Sequence, residues 1–376
     1  MDIHLKKALN SSDSNPSNLD AINKHFDFDY LKSMAINILD PIDKYYFRSR
    51  LINFETAPER NNPDSPVIYI SNHSGMTFPW DAIIFVGRIF QKNNFQIKNS
   101  LRALTAPALS ASRYMQPYFV DDFWRRVGGV DATLENFDTM MNLKDSNVLI
   151  YPEGIAGIGK GFDKRYQLQQ FSSSFIRMAI KYKTDIVPVS VVNGEYINPY
   201  SYRNDELNKL VNKIGIPFLP VGPITPLVAL QPWIYYFGMP SKLTYFRGKT
   251  IKVYEMTDKP IEKLKKKEIH FLRDTVQFQM QTELDMAVEE YGKDPYWLEE
   301  LGDTWRDNLD KLLYILPSGW PVLFQEHERR YAKEKSFKIS LSNESYFQAI
   351  SKTPENLFYG LPVLGIAGLL KWKGIF

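Results

Sequence analysis

A histidine and an aspartate at the end of an apolar run are the first residues here whose types and spacing could do chemistry. His73 follows the apolar segment 67–71, and Asp81 comes after a short loop that contains Gly75 and Pro79. Eight residues of continuous helix would separate the pair by about 12 Å, but glycine and proline argue against such a helix. If the loop folds back, Asp81 can hold one ring nitrogen while the other accepts a proton. A histidine satisfied by a nearby backbone group is the competing interpretation.

A second candidate carboxylate follows another apolar run. Glu153 comes after Pro152, directly behind the segment 147–151, in a glycine-rich turn. Residues 154–161 have the spacing G-x-x-x-x-G-K-G, which differs from a nucleotide-binding phosphate loop at one position. Gly161 stands where that loop has the Ser or Thr that binds magnesium, and Glu153 would put a negative charge beside the phosphates. A nucleotide-binding enzyme is therefore the third of our interpretations.

Composition narrows the function classes. The 376 residues are 44% hydrophobic and 14% aromatic, and the formal net charge is only +3. This charge gives no indication of nucleic-acid binding and is compatible with a mildly basic face toward anionic lipid. Because the chain has no cysteine, disulfides, thiolate zinc sites and cysteine nucleophiles are excluded. No His/Asp cluster has the spacing of metal ligands, so we expect no metal.

Neither a secretory signal nor a spanning helix is evident in the sequence. Residues 1–20 are rich in Ser, Asn and Asp, lack an apolar core, and are expected to be mobile. No run of about 20 apolar residues occurs. Residues 214–241 carry no charge but contain six prolines, which rule out a continuous helix. That segment is either a buried irregular connection or an apolar surface that contacts a bilayer or an acyl chain.

The elements that must position the candidate residues alternate between strand and helix. Such alternation predicts an α/β fold with a mixed, mostly parallel sheet flanked by helices. Working groups in these sheets lie beyond the carboxyl ends of strands, where His73 and Glu153 both fall. The predicted strands are 67–71, 101–106, 147–151 and 185–192, and the predicted helices are 28–54, 81–89, 109–126, 132–143 and 171–182.

Four segments follow from this pattern. We expect a mobile N-terminus (1–20), an N-terminal helical segment (21–56), an α/β domain (57–258) and a helical C-terminal extension (259–376). Residues 242–255 resemble a hairpin that turns at Arg247-Gly248. Apolar residues recur at helical spacing from residue 261 to residue 284, beside a basic cluster at 263–267 that we expect to be solvated. The apolar end, 356–376, either lies in a membrane interface or packs on the protein.

The motifs together resemble the glycerolipid acyltransferases, the lysophospholipid or 1-acylglycerol-3-phosphate acyltransferase superfamily. The segments "NHSGMTFPWD" (72–81), "YPEG" (151–154) and "IVPVSVV" (186–192) occur in the order and approximate spacing of that superfamily. Residues 125–141, "RRVGGVDATLENFDTMM", are similar to the segment between its first and third blocks. The resemblance covers residues 65–195, about a third of the chain, and implies an acyltransferase-like α/β domain.

This sequence departs from the superfamily pattern in three places. Seven residues separate His73 from Asp81, where the family usually has four, although a subgroup with a proline before the aspartate is closer. The arginine that usually follows the second block's glycines is absent, and Ile155-Ala156 replace the usual Thr-Arg after "PEG". Both missing arginines would help to hold an acceptor phosphate. Lys160, Lys164 and Arg165 could substitute, or the acceptor could carry a different headgroup.

The resemblance implies a role for each candidate residue. His73 would act as general base on the acceptor hydroxyl, with Asp81 as its orienter. Glu153 and Gly154 would bind the acceptor, together with Lys160 and Arg165. The tetrahedral oxyanion needs preorganised donors, which we expect in backbone N–H groups near Gly128 and Gly129. The segment 186–188 would support the acyl groove.

The resemblance also implies the partners. An acyl thioester of coenzyme A or acyl carrier protein would be the co-substrate, with no bound cofactor, and a lysolipid or glycerolipid would be the acceptor. The protein would be cytoplasmic and peripherally associated with a membrane, and its metabolic setting would be phospholipid biosynthesis. The alternative is a catalytically silent relative that binds lipid. A His73–Asp81 separation beyond hydrogen-bond reach would favour that alternative.

Overall fold

A seven-stranded sheet forms the centre of the protein. The computed structural model describes residues 16–339, 341 and 346–360. The strand order is β1-β7-β6-β2-β5-β3-β4, and all neighbouring strands run parallel except β6 and β7. The mostly parallel α/β sheet predicted from the sequence is therefore confirmed. Its strands are β1 (Arg50–Ile52), β2 (Ile68–Ser71), β3 (Leu101–Thr105), β4 (Val130–Asp131), β5 (Asn147–Ile150), β6 (Ile186–Val192) and β7 (Thr244–Arg247).

The central strands are buried on both faces because they are apolar at nearly every position. Every residue of β2, β5 and β6 is buried. Alternate residues of β2 face opposite sides of the sheet: Ile68 and Ile70 pack in one apolar cluster, and Tyr69 packs in another. Helices cover both layers, as expected for a parallel sheet.

Helices occupy the chain between and after the strands. The α-helices are α1 (Pro16–Asn23), α2 (Phe28–Met34), α3 (Asp40–Ile42), α4 (Trp80–Lys92), α5 (Pro107–Ala111), α6 (Phe123–Arg126), α7 (Leu134–Met140), α8 (Ile155–Ile158), α9 (Ser174–Tyr182), α10 (Asp205–Val211), α11 (Thr225–Leu230), α12 (Lys266–Tyr291), α13 (Leu298–Arg306), α14 (Leu312–Ile315), α15 (Trp320–Glu334) and α16 (Tyr346–Lys352). Short 3₁₀ turns lie at Arg113–Met115, Pro117–Phe119, Phe162–Lys164, Gly194–Ile197, Asn212–Ile214, Pro232–Tyr236, Val253–Glu255, Ile261–Lys263, Leu309–Lys311, Pro317–Gly319 and Pro354–Gly360.

The N-terminal segment is helical for a shorter distance than predicted. From Phe28 the helical path continues through two π-helical turns, Ala35–Leu39 and Asp43–Phe47. Arg48 then adopts a left-handed conformation with φ of 49°, which ends the helix. The chain enters β1, which pairs with β7, so the sheet begins before the expected boundary at residue 57.

The predicted helix over 109–126 is wrong. Ser112 is extended, and Tyr118, Phe119 and Asp122 have positive φ angles. These conformations divide the segment into α5, two 3₁₀ turns and α6. The predicted helix over 132–143 is confirmed as α7, and the one over 171–182 as α9.

The predicted hairpin over 242–255 is also wrong. β7 pairs antiparallel with β6 up to Arg247. The chain then continues along the same neighbour, because Ile251 forms an antiparallel bridge with Ile186. Gly248 donates its N–H to the Pro188 carbonyl, so residues 248–250 interrupt the pairing with β6 and do not reverse the chain.

The C-terminal part is helical, as the periodicity predicted. α12 buries Ile269, Leu272, Val276, Met280 and Leu284 against the sheet. The expected mobile segment overlaps α1 at residues 16–20, and residues 1–15 lie outside the described residues. Most of the apolar end, 361–376, lies outside them as well. Within the described ranges, no helix combines the length and apolar character needed to cross a bilayer.

A buried asparagine shapes the exit of β2. The side chain of Asn72 accepts a hydrogen bond from the Val191 N–H at 2.7 Å and donates one to the Val191 carbonyl at 3.0 Å. The amide therefore extends the β2–β6 pairing by one residue after the backbone has turned away. Because Asn72 is completely buried, both backbone groups of Val191 depend on it.

We expect Asn72→Ala to lower the free energy of unfolding by about 3 kcal/mol, since two buried backbone groups lose their partner. Urea denaturation measures the change. Asn61→Ala is the matched control, because Asn61 also donates to a carbonyl but is exposed, and it should cost less than about 0.5 kcal/mol. Equal effects of the two substitutions would contradict this account of the β2 exit.

Candidate functional site

His73 and Asp81 form a hydrogen-bonded pair at the carboxyl end of β2. The distance from His73 Nδ1 to Asp81 Oδ2 is 2.7 Å. The chain folds back through Gly75, whose φ is +106°, and Met76, whose φ is +49°. Asp81 then falls in the first turn of α4. The longer spacing between the two residues therefore leaves the hydrogen bond intact, and the separation that would have favoured a silent relative is not observed.

The Asp81 carboxylate is completely buried and has further donors. Its Oδ2 accepts the Ser74 N–H at 3.1 Å, and its Oδ1 accepts the Ala82 N–H at 2.9 Å. The Tyr245 hydroxyl donates to the Asp81 carbonyl at 2.8 Å, which ties the start of α4 to β7. A buried charge is tolerated only when it is paired and hydrogen-bonded, and these contacts supply both conditions.

The imidazole is held from its face as well as from its edge. The His73 ring packs on the Tyr151 ring with 4.2 Å between centroids. Burial raises the pKa of Tyr151 well above its usual range, so that neighbour stays neutral at physiological pH. With Nδ1 engaged by Asp81, Nε2 is the ring nitrogen that can exchange a proton with a substrate.

Glu153 links the turn after β2 to the turn after β5. Its Oε1 accepts the His73 N–H at 3.1 Å, and its Oε2 accepts the Gln169 N–H. Burial raises the pKa of Glu153, and nearby Lys160 is the strongest opposing influence. This carboxylate therefore fixes the His73 backbone, and it also lines a cavity beside His73.

Lys160 and Arg165 lie away from that cavity wall. Lys160 is buried, with Nζ 3.2 Å from Glu195 Oε1 and 3.1 Å from the Gln167 carbonyl. Arg165 is exposed and lies over the Phe162 ring. A phosphate loop needs its lysine free to face the phosphates, so the nucleotide interpretation lacks geometric support.

The glycine pair expected to supply oxyanion donors has its N–H groups in use. Gly128 donates to the Arg125 carbonyl at 3.0 Å, and Gly129 donates to the Trp124 carbonyl at 2.8 Å. Both bonds close the end of α6. The geometry therefore gives these two groups a structural use and does not support them as oxyanion donors.

A cavity of about 770 Å³ opens beside His73. Small-molecule sites commonly have volumes of 300–1,000 Å³ and mostly apolar walls. The lining residues of α4, β3 and the N-terminal helical segment are buried or half-buried, whereas Gly154 and Ile155 are exposed. The first group therefore forms the inner wall, and the Tyr151–Ile155 turn lies toward the opening of the cavity. Its inner lining includes Leu31, Leu39, Phe78, Ile83, Val86, Gly87, Leu101, Ala103 and Trp124. The segment 186–188 lies within the central strand β6 and is not part of the lining.

The mouth of the cavity has polar residues that we did not predict. Gln170 and Ser172 are exposed there, Ser174 and the buried Arg273 line the cavity beside them, and Arg273 is the only Lys or Arg among the described lining residues. Arg273 donates from Nε and Nη2 to Asp274 Oδ1. A signal existed in the sequence, because Arg273 shares the inward helical face of the apolar positions in α12. Within the described ranges, no three His, Asp or Glu side chains are grouped as metal ligands are.

Comparison with known proteins identifies a related family. Residues 51–192 match the family model described as Acyltransferase, which confirms the resemblance inferred from the motifs. An uncharacterized protein of Mycobacterium tuberculosis is 27% identical over 54% of this chain and 56% of its own length. One of Mycobacterium leprae is 27% identical over 59% of this chain and 60% of its own length. The chain thus spans less than two thirds of these relatives.

A solved structure was also found. The crystal structure of the 1-acyl-sn-glycerophosphate (LPA) acyltransferase PlsC from Thermotoga maritima aligns with this protein with a TM-score of 0.36 and 14% sequence identity. The match covers 77% of this chain and 88% of that one.

We expect Lys160→Met to raise the pKa of Glu153 further, because the substitution removes the strongest influence that lowers it. Carbon NMR titration of the labelled carboxyl measures the shift. Because the pKa of Glu153 is above the ordinary 4.5 in the folded state, the unfolding free energy falls as pH rises from 4.5 through the folded-state pKa. In the variant this fall should extend to higher pH. Exposed Lys164→Met is the control, and equal titration curves for all three proteins would contradict the coupling.

Proposed function

We propose that this protein, which matches the Acyltransferase family model over residues 51–192, transfers a fatty acyl group from a thioester to a hydroxyl of a lysolipid or glycerolipid-type acceptor. One observation supports the proposal: His73, hydrogen-bonded to the buried Asp81, lines a largely apolar cavity. An apolar cavity can hold the hydrocarbon part of an acyl chain, and a base at its wall would then lie next to the thioester carbonyl.

The chemistry needs few groups because a thioester is already activated. The acceptor oxygen attacks the thioester carbonyl carbon while His73 Nε2 takes the hydroxyl proton. Asp81 stabilises the imidazolium that forms. The tetrahedral intermediate then expels the thiolate, which recovers that proton from His73. General base catalysis of this kind contributes about 10²–10⁴-fold, and no covalent enzyme intermediate is required.

We assign the acyl chain to the inner part of the cavity. The side chains there, from Phe78 past Ile83 and Val86 toward Leu39, are apolar. Gly87 lies on the α4 wall, where the absence of a side chain leaves room beside Leu39. The thioester would then lie at His73, and the headgroup of the donor, coenzyme A or acyl carrier protein, would remain outside.

We assign the acceptor to the polar mouth. Glu153 and Gly154 line it together with Arg273, whose charge suits a phosphate ester in place of the arginines that the family usually has. Because the geometry removes Lys160 from the cavity wall, we propose that it acts indirectly by keeping Glu153 in place. Arg165 is exposed and would contact only the outer part of an acceptor headgroup.

We further propose that the protein works at a membrane surface as a peripheral, cytoplasmic protein. The charge-free segment 214–241 carries exposed Val221, Leu227, Leu230 and Met239. The same segment lines the cavity through Pro217, Phe218 and Tyr235. An apolar surface next to the mouth would let lipid substrates pass from the bilayer to His73 without crossing water. Phospholipid assembly is the corresponding metabolic role.

We expect His73→Ala to reduce acyl transfer by at least about 10²-fold and Asp81→Asn to reduce it less, because the base is lost in the first variant and misoriented in the second. Labelled acyl-CoA with a panel of lysolipids, analysed by mass spectrometry, measures the rates and identifies the acceptor. His25→Ala is a matched control, since His25 also pairs with an aspartate, Asp122, at 2.6 Å but does not line this cavity. Full activity in His73→Ala would end the base assignment.

We expect Gly87→Leu to shift the product profile toward shorter acyl chains, because the new side chain would occupy the inner cavity. Competition among acyl-CoA donors of increasing length measures the shift. Gly302→Leu is the control, since Gly302 lies on helix α13 with open space around its Cβ position. An unchanged length profile in Gly87→Leu would place the acyl chain elsewhere.

A further inference from the structure

The outward face of α12 carries large apolar side chains that none of the described residues covers. Phe271 is 70% exposed, Phe278 is 76% exposed and Met286 is 61% exposed. Phe278 is seven positions after Phe271 and Met286 is eight positions after Phe278, so all three lie along one side of the helix. The opposite side of α12 packs on the sheet.

Two threonines complete this stripe. Thr275 donates its hydroxyl to the Phe271 carbonyl at 2.9 Å, and Thr282 donates to the Phe278 carbonyl at 3.0 Å. With both hydroxyls bonded inside the helix, the methyl groups are left for contact with a partner. The spacing of the five positions, 4-3-4-4, is that of a surface that packs against another helix.

The two ends of the stripe have opposite charge. Lys267 precedes Phe271 by four residues, and Glu289 follows Met286 by three. Both are exposed, and neither takes part in a salt bridge within the described residues. Lys267 and Glu289 each lie eleven residues from Phe278, so the stripe is nearly symmetric in length and opposite in charge about its centre.

We propose that this stripe, residues 267, 271, 275, 278, 282, 286 and 289, binds the same stripe of a second copy of the chain, antiparallel about a two-fold axis at Phe278. In that arrangement Phe278 meets Phe278 of the second copy and Phe271 meets Met286. Each Lys267 meets Glu289 of the other copy. Such a self-complementary contact is the common form of a closed dimer.

The charges on α12 favour an antiparallel second copy over a parallel copy or an anionic bilayer. A parallel pair of helices would place Lys267 against Lys267 and Glu289 against Glu289. An anionic bilayer would meet Asp285 and Glu289 on or beside the stripe, and these carboxylates repel anionic headgroups. Only the antiparallel pair uses both the apolar positions and the two charged ends.

The size of the contact sets its strength. α12 has 26 residues and is about 39 Å long, and packed helix axes lie about 8–10 Å apart. One helix from each copy makes an interface at the small end of the range for specific complexes. We therefore expect a reversible dimer with a dissociation constant on the order of micromolar.

Sedimentation equilibrium over a concentration series tests the dimer. The wild type should change reversibly between the mass of one chain and twice that mass, and Phe278→Glu should raise the dissociation constant at least about 100-fold. Leu298→Glu is the matched control, because Leu298 is 68% exposed but lies outside the stripe, and it should dimerise normally. A wild type that is monomeric at all concentrations, or a dimer unaffected by Phe278→Glu, would overturn the proposal.

Cysteine crosslinking tests the direction of the pairing, since the chain has no cysteine of its own. Phe278→Cys should crosslink to itself with a short bifunctional maleimide. Lys267→Cys alone should not, because two such residues would lie about 33 Å apart, but it should crosslink when mixed with Glu289→Cys. Self-crosslinking of Lys267→Cys would reveal a parallel pair and contradict the proposal. A monomeric protein that loses vesicle binding in Phe278→Glu would assign the stripe to a membrane instead.

Discussion

The buried carboxylate of Asp81 is the interaction on which the site depends. The carboxylate accepts hydrogen bonds from the His73 ring and from the Ser74 N–H, and the backbone carbonyl of Asp81 accepts one from the Tyr245 hydroxyl. The end of β2, the start of α4 and strand β7 therefore meet at one residue. Because an unpaired buried charge is costly, the fold and the orientation of the imidazole are stabilised by the same contacts.

Much of this arrangement could be predicted from the sequence because it depends on strand ends. The apolar runs before His73 and Glu153 are long enough to indicate buried strands, and parallel strands end at the same edge. The paired positions Ile70 and Ile150 show that β2 and β5 are adjacent, which brings the two turns together. The helical spacing of apolar residues over 261–284 likewise corresponds to α12, which buries Ile269, Leu272, Val276, Met280 and Leu284.

What the sequence did not reveal depends on contacts between distant segments. β1 has only three residues and is a strand because β7 lies beside it. Nothing local in the sequence indicates that α6 ends on the N–H groups of Gly128 and Gly129. The sequence also does not show that Lys160 is engaged, because its partner, Glu195, is 35 residues further along the chain.

The longer separation of His73 and Asp81 has a physical use of its own. Of the residues between them, Thr77, Phe78 and Pro79 line the cavity, so the additional loop forms part of its wall. Left-handed backbone at Gly75 and Met76 turns the loop toward the cavity before α4 begins. A lengthened connection would be expected to loosen a catalytic pair. Here the buried carboxylate fixes both ends of the loop, so the added residues change the shape of the cavity and leave the distance between His73 Nδ1 and Asp81 Oδ2 at 2.7 Å.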